Sequence, residues 1–118
     1  MIKYTELRDI QKKERNHREL SDVSSTFYDD CREFISKTTE DYKKTVDPMT
    51  RRLLSNSMDI IQEINNCRYE KILHAAAQGK PIQTRIACEK DLYENLRETF
   101  TDYKRNIHNP QEIKEIGE

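Results

Sequence analysis

The sequence predicts an all-α protein: a helical bundle of about four helices, with one long central helix and up-and-down connections. Three observations carry this. The first is the stretch from Asp47-Pro48 to Gln78-Gly79. Asp is a good N-cap, because its carboxylate accepts from the free amides of the first turn. Pro loses nothing at the first helical position, and Gly takes the left-handed conformation that ends a helix. No Gly or Pro lies between these signals. The second is composition: 36% of the residues are charged and 34% hydrophobic, with two Gly and no Trp, too few turn residues for a β or Rossmann-type chain. The third is periodicity. Leu54, Met58, Ile61, Ile64 (or Cys67), Ile72, Ala75 and Ala76 recur at helical spacing, which argues against disorder.

A helix of this length spans roughly 45 Å. A compact chain of 118 residues has a diameter of only about 35 Å. The long helix is therefore expected to overhang its own domain and to want a partner, in a chain whose apolar content is thin. One domain is expected at this length. The net charge of −1 is mixed along the chain and gives no global drive towards nucleic acid or anionic membrane. No apolar run is long enough for a membrane span, and Met1 to Leu20 holds no signal-peptide core. The chain reads as intracellular. Cys31, Cys67 and Cys88 are odd in number, lie far apart and read as small buried hydrophobes.

The first helix is expected over residues 3 to about 19. Tyr4, Leu7 and Ile10 form a short stripe, and Gln11 to Glu19 is entirely polar, so this half reads as solvated. Lys12, Lys13, Arg15 and Arg18 there, with His17, form a possible patch for an anionic partner, offset by Glu14 and Glu19. Leu20 to Thr26 is a connection rich in Ser, Asp and Thr. The second helix carries Phe27, Cys31, Phe34, Ile35, Thr38 and Tyr42 on one face, with Thr26 and Asp29 as a cap pair or Ser24 or Ser25 as the cap instead, and ends before Asp47-Pro48. Gly79-Lys80-Pro81 breaks the chain after the long helix. A fourth helix is expected from about Thr84 to His108, with Leu92, Tyr93, Leu96, Phe100, Tyr103 and Ile107 at i, i+3, i+4 spacing. Asn109-Pro110 stops it, and Gln111 to Glu118 reads as an acidic tail or linker. Short connections between the last three helices favour antiparallel neighbours.

Chemistry is hard to find in this pattern. A di-metal bundle needs two Glu-x-x-His helices and two further Glu. Glu14 and His17 give one such spacing, and no second exists. There is no zinc-protease motif and no Gly-rich phosphate loop. No catalytic, cofactor-binding or metal-ligating residue is nominated, and no cofactor is expected. Arg68 stands out, because it lies on the apolar stripe of the long helix between Ile64 and Ile72. Either it is buried and paired with a carboxylate, with Glu89, Glu94 or Glu33 as candidates, or its stem packs while its head reaches water.

Several segments together resemble a known family. They are Tyr4-Thr5-Glu6-Leu7-Arg8 onward to Arg15, the Phe27-Tyr28 opening of the second helix, Ile60-Ile61-x-x-Ile64, Arg68-Tyr69-Glu70-Lys71-Ile72-Leu73-x-Ala75-Ala76, and Leu92-Tyr93-x-x-Leu96 with Tyr103. In order and spacing they look like the helical A domain of an archaeal GINS subunit of the 51-type. The resemblance covers about residues 3 to 108. It implies a helical A-type domain over residues 1–109, with residues 110–118 a tail or linker towards the β domain that follows in that type.

The resemblance further implies a non-enzymatic subunit of a tetrameric DNA replication factor. Such a factor, a homotetramer or a heterotetramer with a second GINS subunit type, scaffolds the MCM replicative helicase with a RecJ-like partner. It works in the cytoplasm, at the nucleoid and replication fork. Nucleic acid would be contacted only weakly or indirectly, and no membrane is involved. Subunit contacts are expected from Leu54, Met58, Ile61, Arg68, Lys71, Ile72, Tyr93, Phe100 and Tyr103. The alternative is an unrelated helical adaptor that binds one partner helix through an exposed apolar stripe.

Overall fold

The computed structural model describes residues 2–108, and these form four helices: α1 (Tyr4–Asn16), α2 (Phe27–Thr45), α3 (Pro48–Gln78) and α4 (Ala87–His108). The fold class is the one the pattern predicts, a helical bundle with one long central helix. The proposed tail, residues 110–118, lies outside the described residues. None of the described helices is long and apolar enough to cross a membrane.

The punctuation of α3 works as its residues dictate. The Asp47 carboxylate accepts from the Met49 amide at 3.1 Å, and Pro48 occupies the first turn. At the other end Gly79 has φ 71°, and the Lys80 and Gly79 amides donate to Ala75 and Ala76 carbonyls in a Schellman arrangement. The last turn of α3 holds no basic residue of its own. Two cations from α4 serve instead, with Arg97 donating to the Ala76 carbonyl at 3.0 Å and Lys104 to the Ala77 carbonyl at 2.9 Å.

Helix α3 is the spine, and the other three helices each pack against it. Gln11 meets Glu63 and Glu14 meets Arg68, so α1 runs in the same direction as α3. Tyr28 lies level with Asn65, and Tyr42 with Arg52, so α2 runs antiparallel. The connection from α3 to α4 departs from the expected up-and-down pattern. Arg68 pairs with Glu89, and Ala76 is met by Arg97, eight residues later on both helices. The segment from Gly79 to Ile86 therefore doubles back along the spine, and α4 sets off again parallel to it. Tyr93 pins this segment by donating to the Lys80 carbonyl, and Ile86 is buried in the core.

This geometry carries α4 past the end of the spine. Beyond Arg97 the fourth helix has a further eleven residues, whereas α3 stops two residues after Ala76. The molecule measures 73 × 24 × 22 Å with a radius of gyration of 20.0 Å, far from the about 14 Å of a compact chain. Overhang was expected of α3, whereas it is α4 that runs past the end of the spine.

The core is small: Ile2, Leu7, Val23, Phe27, Cys31, Ile60, Ile64 and Ile86. The buried line of α3 is Ser57, Ile60, Ile64, Arg68, Ile72 and Ala76, an i+4 ridge that slants around the helix as one neighbour gives way to the next. The expected stripe lay to one side of it in the first half. Leu54 and Ile61 are only half-buried and Met58 is 53% exposed, because α2 alone covers this part of the spine. Ser57 is buried at no penalty, since its hydroxyl donates to the Leu53 carbonyl.

The α2–α3 turn contains the one strained non-glycine backbone position among the described residues. Val46 has φ 47° and ψ 35°, the left-handed region that a β-branched residue avoids. Its side chain is 66% exposed, so packing does not compensate. Replacing Val46 with Gly is expected to stabilise the fold by about 1 kcal/mol. That corresponds to a rise of about 4 °C in the thermal midpoint. An unchanged or lower midpoint would mean that Val46 makes a compensating contact in solution.

Candidate functional site

The polar centre of the molecule is built around Arg68. The face of α3 that carries Ile64 and Ile72 turns this side chain inward, and it is completely buried. Its Nε donates to Glu89 Oε2 at 2.8 Å and its Nη2 to Glu89 Oε1 at 2.7 Å, a bidentate fork. Its Nη1 donates to Glu14 Oε1 at 3.1 Å and to the Ser21 carbonyl at 2.9 Å. Lys71, one turn on, donates to the other oxygen of Glu14 at 2.8 Å and to the Glu19 carbonyl at 3.0 Å. Two buried carboxylates thus face two cations, and the cluster is neutral.

The remaining positions of this cluster are filled too. Tyr28 donates to Glu89 Oε2 and Thr84 to Glu89 Oε1, both at 2.6 Å. The Ser21 amide and hydroxyl both donate to Glu14 Oε1. Thr84 also accepts from the Ile86 amide, fixing the turn into α4. Every helix and both long connections therefore contribute to one hydrogen-bonded cluster.

The electrostatics follow from this geometry. Burial alone would raise the pKa of Glu14, but hydrogen bonds from Lys71 and Ser21 outweigh it and hold the carboxyl below its ordinary value. Burial likewise opposes ionisation of Glu89, and Arg68, Thr84 and Tyr28 overcome it. Burial would also lower the pKa of Arg68, yet Glu89 and Glu14 raise it on balance. The Tyr28 hydroxyl is pushed up by burial and by the Glu89 carboxylate, so it stays a donor. All these groups are saturated by each other. The arrangement clamps elements together, its acids and bases paired with one another.

Of the residues proposed for subunit contacts, Arg68 and Ile72 are buried inside the chain's own fold and offer no surface to a partner. Lys71 is largely drawn into the same cluster. Leu54, Ile61, Tyr93 and Phe100 are half-buried, and Met58 and Tyr103 are exposed. The six do not form one surface. Met58 and Ile61 line a groove of about 480 Å³ between α2 and α3, with Ile35 and Tyr28 on its other wall. Tyr93 and Phe100 lie on α4, and Tyr103, 63% exposed, stands on its overhanging end with Ile107.

The supposedly solvated half of α1 requires correction. Gln11 and Glu14 are buried, because they continue the helical period of Leu7 on the face turned to the spine. Arg15, assigned to an anion-binding patch, forms a fork with Glu63 at 2.6 and 2.8 Å. Lys12, Lys13 and Arg18 are exposed and have no ion-pair partner among the described residues. Lys13 and Arg18 share a shallow depression with Glu19 and Asp22. The cysteines differ from one another. Cys31 is buried, and burial pushes its thiol up to about 12, whereas Cys67 is half-buried and Cys88 is exposed.

Glu14 is the central residue that sequence reasoning missed. Polarity alone placed it on a solvated face. Its spacing of seven from Leu7 was the signal that it faces inward. Comparison with protein-family models, with characterised proteins and with solved structures finds no match.

Two outcomes follow from the cluster. Arg68→Met leaves buried Glu89 without its counter-ion and Glu14 with Lys71 alone, and is expected to cost roughly 3–5 kcal/mol at neutral pH. The loss shrinks in mild acid, where those carboxyls protonate; urea midpoints at the two pH values check this. The wild-type protein behaves in the opposite sense. Depressed carboxyl pKa values give stability that is fully present above the unfolded-chain values and lost as pH falls through the folded ones. Its urea midpoint should be level near neutrality and fall below about pH 4.5. A midpoint that held level to pH 3 would contradict it.

Proposed function

We propose that this chain is a non-enzymatic assembly subunit of the GINS type, acting within a tetrameric archaeal DNA replication factor. In this reading it works at the nucleoid and replication fork, and with a RecJ-like partner it scaffolds the MCM replicative helicase. The observation that carries the assembly reading is the overhanging end of α4. Tyr103 and Ile107 stand there on a helix with no spine beneath it. Isolated helix ends of this length are marginal in water, so neighbouring helices from other subunits would stabilise it. The saturated Arg68 cluster supports a structural rather than catalytic role, since its acids and bases are committed to each other.

The replication assignment rests on the resemblance of the Tyr4–Arg15, Phe27-Tyr28, Arg68–Ala76 and Leu92–Leu96 segments to the GINS A domain. The groove between α2 and α3 favours the second reading, a helical adaptor that holds one partner helix. In that reading the apolar face of one amphipathic helix would lie against Ile35, Met58 and Ile61.

Light scattering on the eluting peak of a size-exclusion column separates the two. Self-assembly predicts a mass of two or four chains, reduced to one chain by Tyr103→Ser with Ile107→Ser while the melting temperature stays within a few degrees. A monomer at every concentration would remove the homomeric form of the proposal. A monomer that binds an amphipathic helix, with binding lost in Met58→Asp, would favour the adaptor.

A further inference from the structure

The opposite end of the rod, the α2–α3 hairpin, carries features that neither the core nor the proposed assembly uses. Residues 43–52 hold four cations, Lys43, Lys44, Arg51 and Arg52, against a single carboxylate, Asp47. That carboxylate is engaged in capping α3. All four cations are exposed, and none has an ion-pair partner among the described residues. Among them stand two apolar side chains in water, Val46 and Met49, the latter 78% exposed. A concavity of about 570 Å³ opens here, with Tyr42, Val46 and Pro48 as its apolar wall and Arg51 and Arg52 as its charged rim.

Three unfavourable choices coincide at this tip. Like charges crowd together, apolar groups are left wet, and a β-branched residue sits in the left-handed region where Gly would fit. Backbone strain of this kind persists at sites that bind. We propose that the hairpin tip is a docking site for an acidic segment of a partner protein that presents an apolar side chain between carboxylates. The guanidinium groups of Arg51 and Arg52 take carboxylates as bidentate forks, and the partner's apolar residue covers Val46 and the Tyr42 ring. Unpaired positive charge at the tip selects an acidic partner and steers its approach.

Nucleic acid fits less well. The charges form a cluster at the end of a rod about 24 Å wide rather than a track, and aliphatic Val46 and Met49 are not stacking platforms. A lipid surface needs a larger apolar face than these two side chains give. The proposal is independent of the GINS reading.

Fluorescence anisotropy tests it, using a labelled peptide of about 12 residues made of Asp and Glu with two Phe one helical turn apart. The full chain is expected to bind it saturably at low salt and more weakly at roughly 0.5 M salt. Arg51→Glu with Arg52→Glu should lose affinity at least about tenfold, with a melt within a few degrees of the wild type because both side chains are exposed and form no ion pair among the described residues. Val46→Gly should bind more weakly although its fold is more stable. A peptide with both Phe replaced by Ser should also bind more weakly. Each of four results overturns the proposal: no saturation, equal affinity in the charge-reversed variant, indifference to Phe removal, or tighter binding of single-stranded oligothymidine than of the peptide.

Discussion

A guanidinium without access to water must find its whole hydrogen-bonding complement inside the protein, or the fold around it fails. Arg68 meets that requirement through Glu89, Glu14, the Ser21 carbonyl and Thr84. Those partners lie on α4, on α1 and on the two long connections. Each must be in place for the others to be neutralised, so one side chain sets the positions of two helices and two connections on the spine. The doubling-back of residues 79–86 follows from this constraint. Only a chain that returns along α3 brings Glu89 level with Arg68. The apolar core is too small to specify that path unaided, since it consists mainly of Leu7, Phe27 and a few isoleucines. Replacing a buried ion cluster by apolar residues is often neutral or favourable. Its use here is orientation, holding each helix at one register along the spine.

Local signals made the fold class legible. Asp47-Pro48 and Gln78-Gly79 bound α3 as read, because caps act through residues adjacent in sequence. Phe27 opens α2, and α4 runs to the last described residue, His108. What could not be read depends on contacts between distant residues. The direction of α4 is one case, because an eight-residue connection permits either an antiparallel hairpin or a return. The burial of Glu14 is another. Its inward position was visible from its spacing to Leu7, but a carboxylate joins a core face only if a cation waits there, and Arg68 lies 54 residues away. Arg68 was recognisable as exceptional on its stripe, and Glu89 was among its named candidate partners. Met58 shows the converse: it keeps helical period, yet no element covers it, and periodicity does not report where a neighbour ends.

The molecule has two unlike ends joined by a polar clamp. At one end α4 extends beyond the spine with Tyr103 and Ile107 uncovered, a surface suited to burial against other helices. At the other, the α2–α3 hairpin gathers basic side chains around exposed Val46 and Met49. Between them the Arg68 cluster ties all four helices together. The molecule is a rod of 73 Å with separate surfaces at its ends, the shape on which the proposed scaffolding role draws.

The central claim, that Arg68 and its carboxylates form one coupled clamp, is tested most directly by a double-mutant cycle between Arg68→Met and Glu89→Gln, read by chemical denaturation. The account predicts strong coupling. Glu89→Gln should destabilise the wild-type protein by several kcal/mol, yet restore stability to Arg68→Met by removing a buried carboxylate that has lost its partner. Two additive effects would mean that the pair does not exist as a buried interaction in solution, and the clamp would no longer explain the path of the chain.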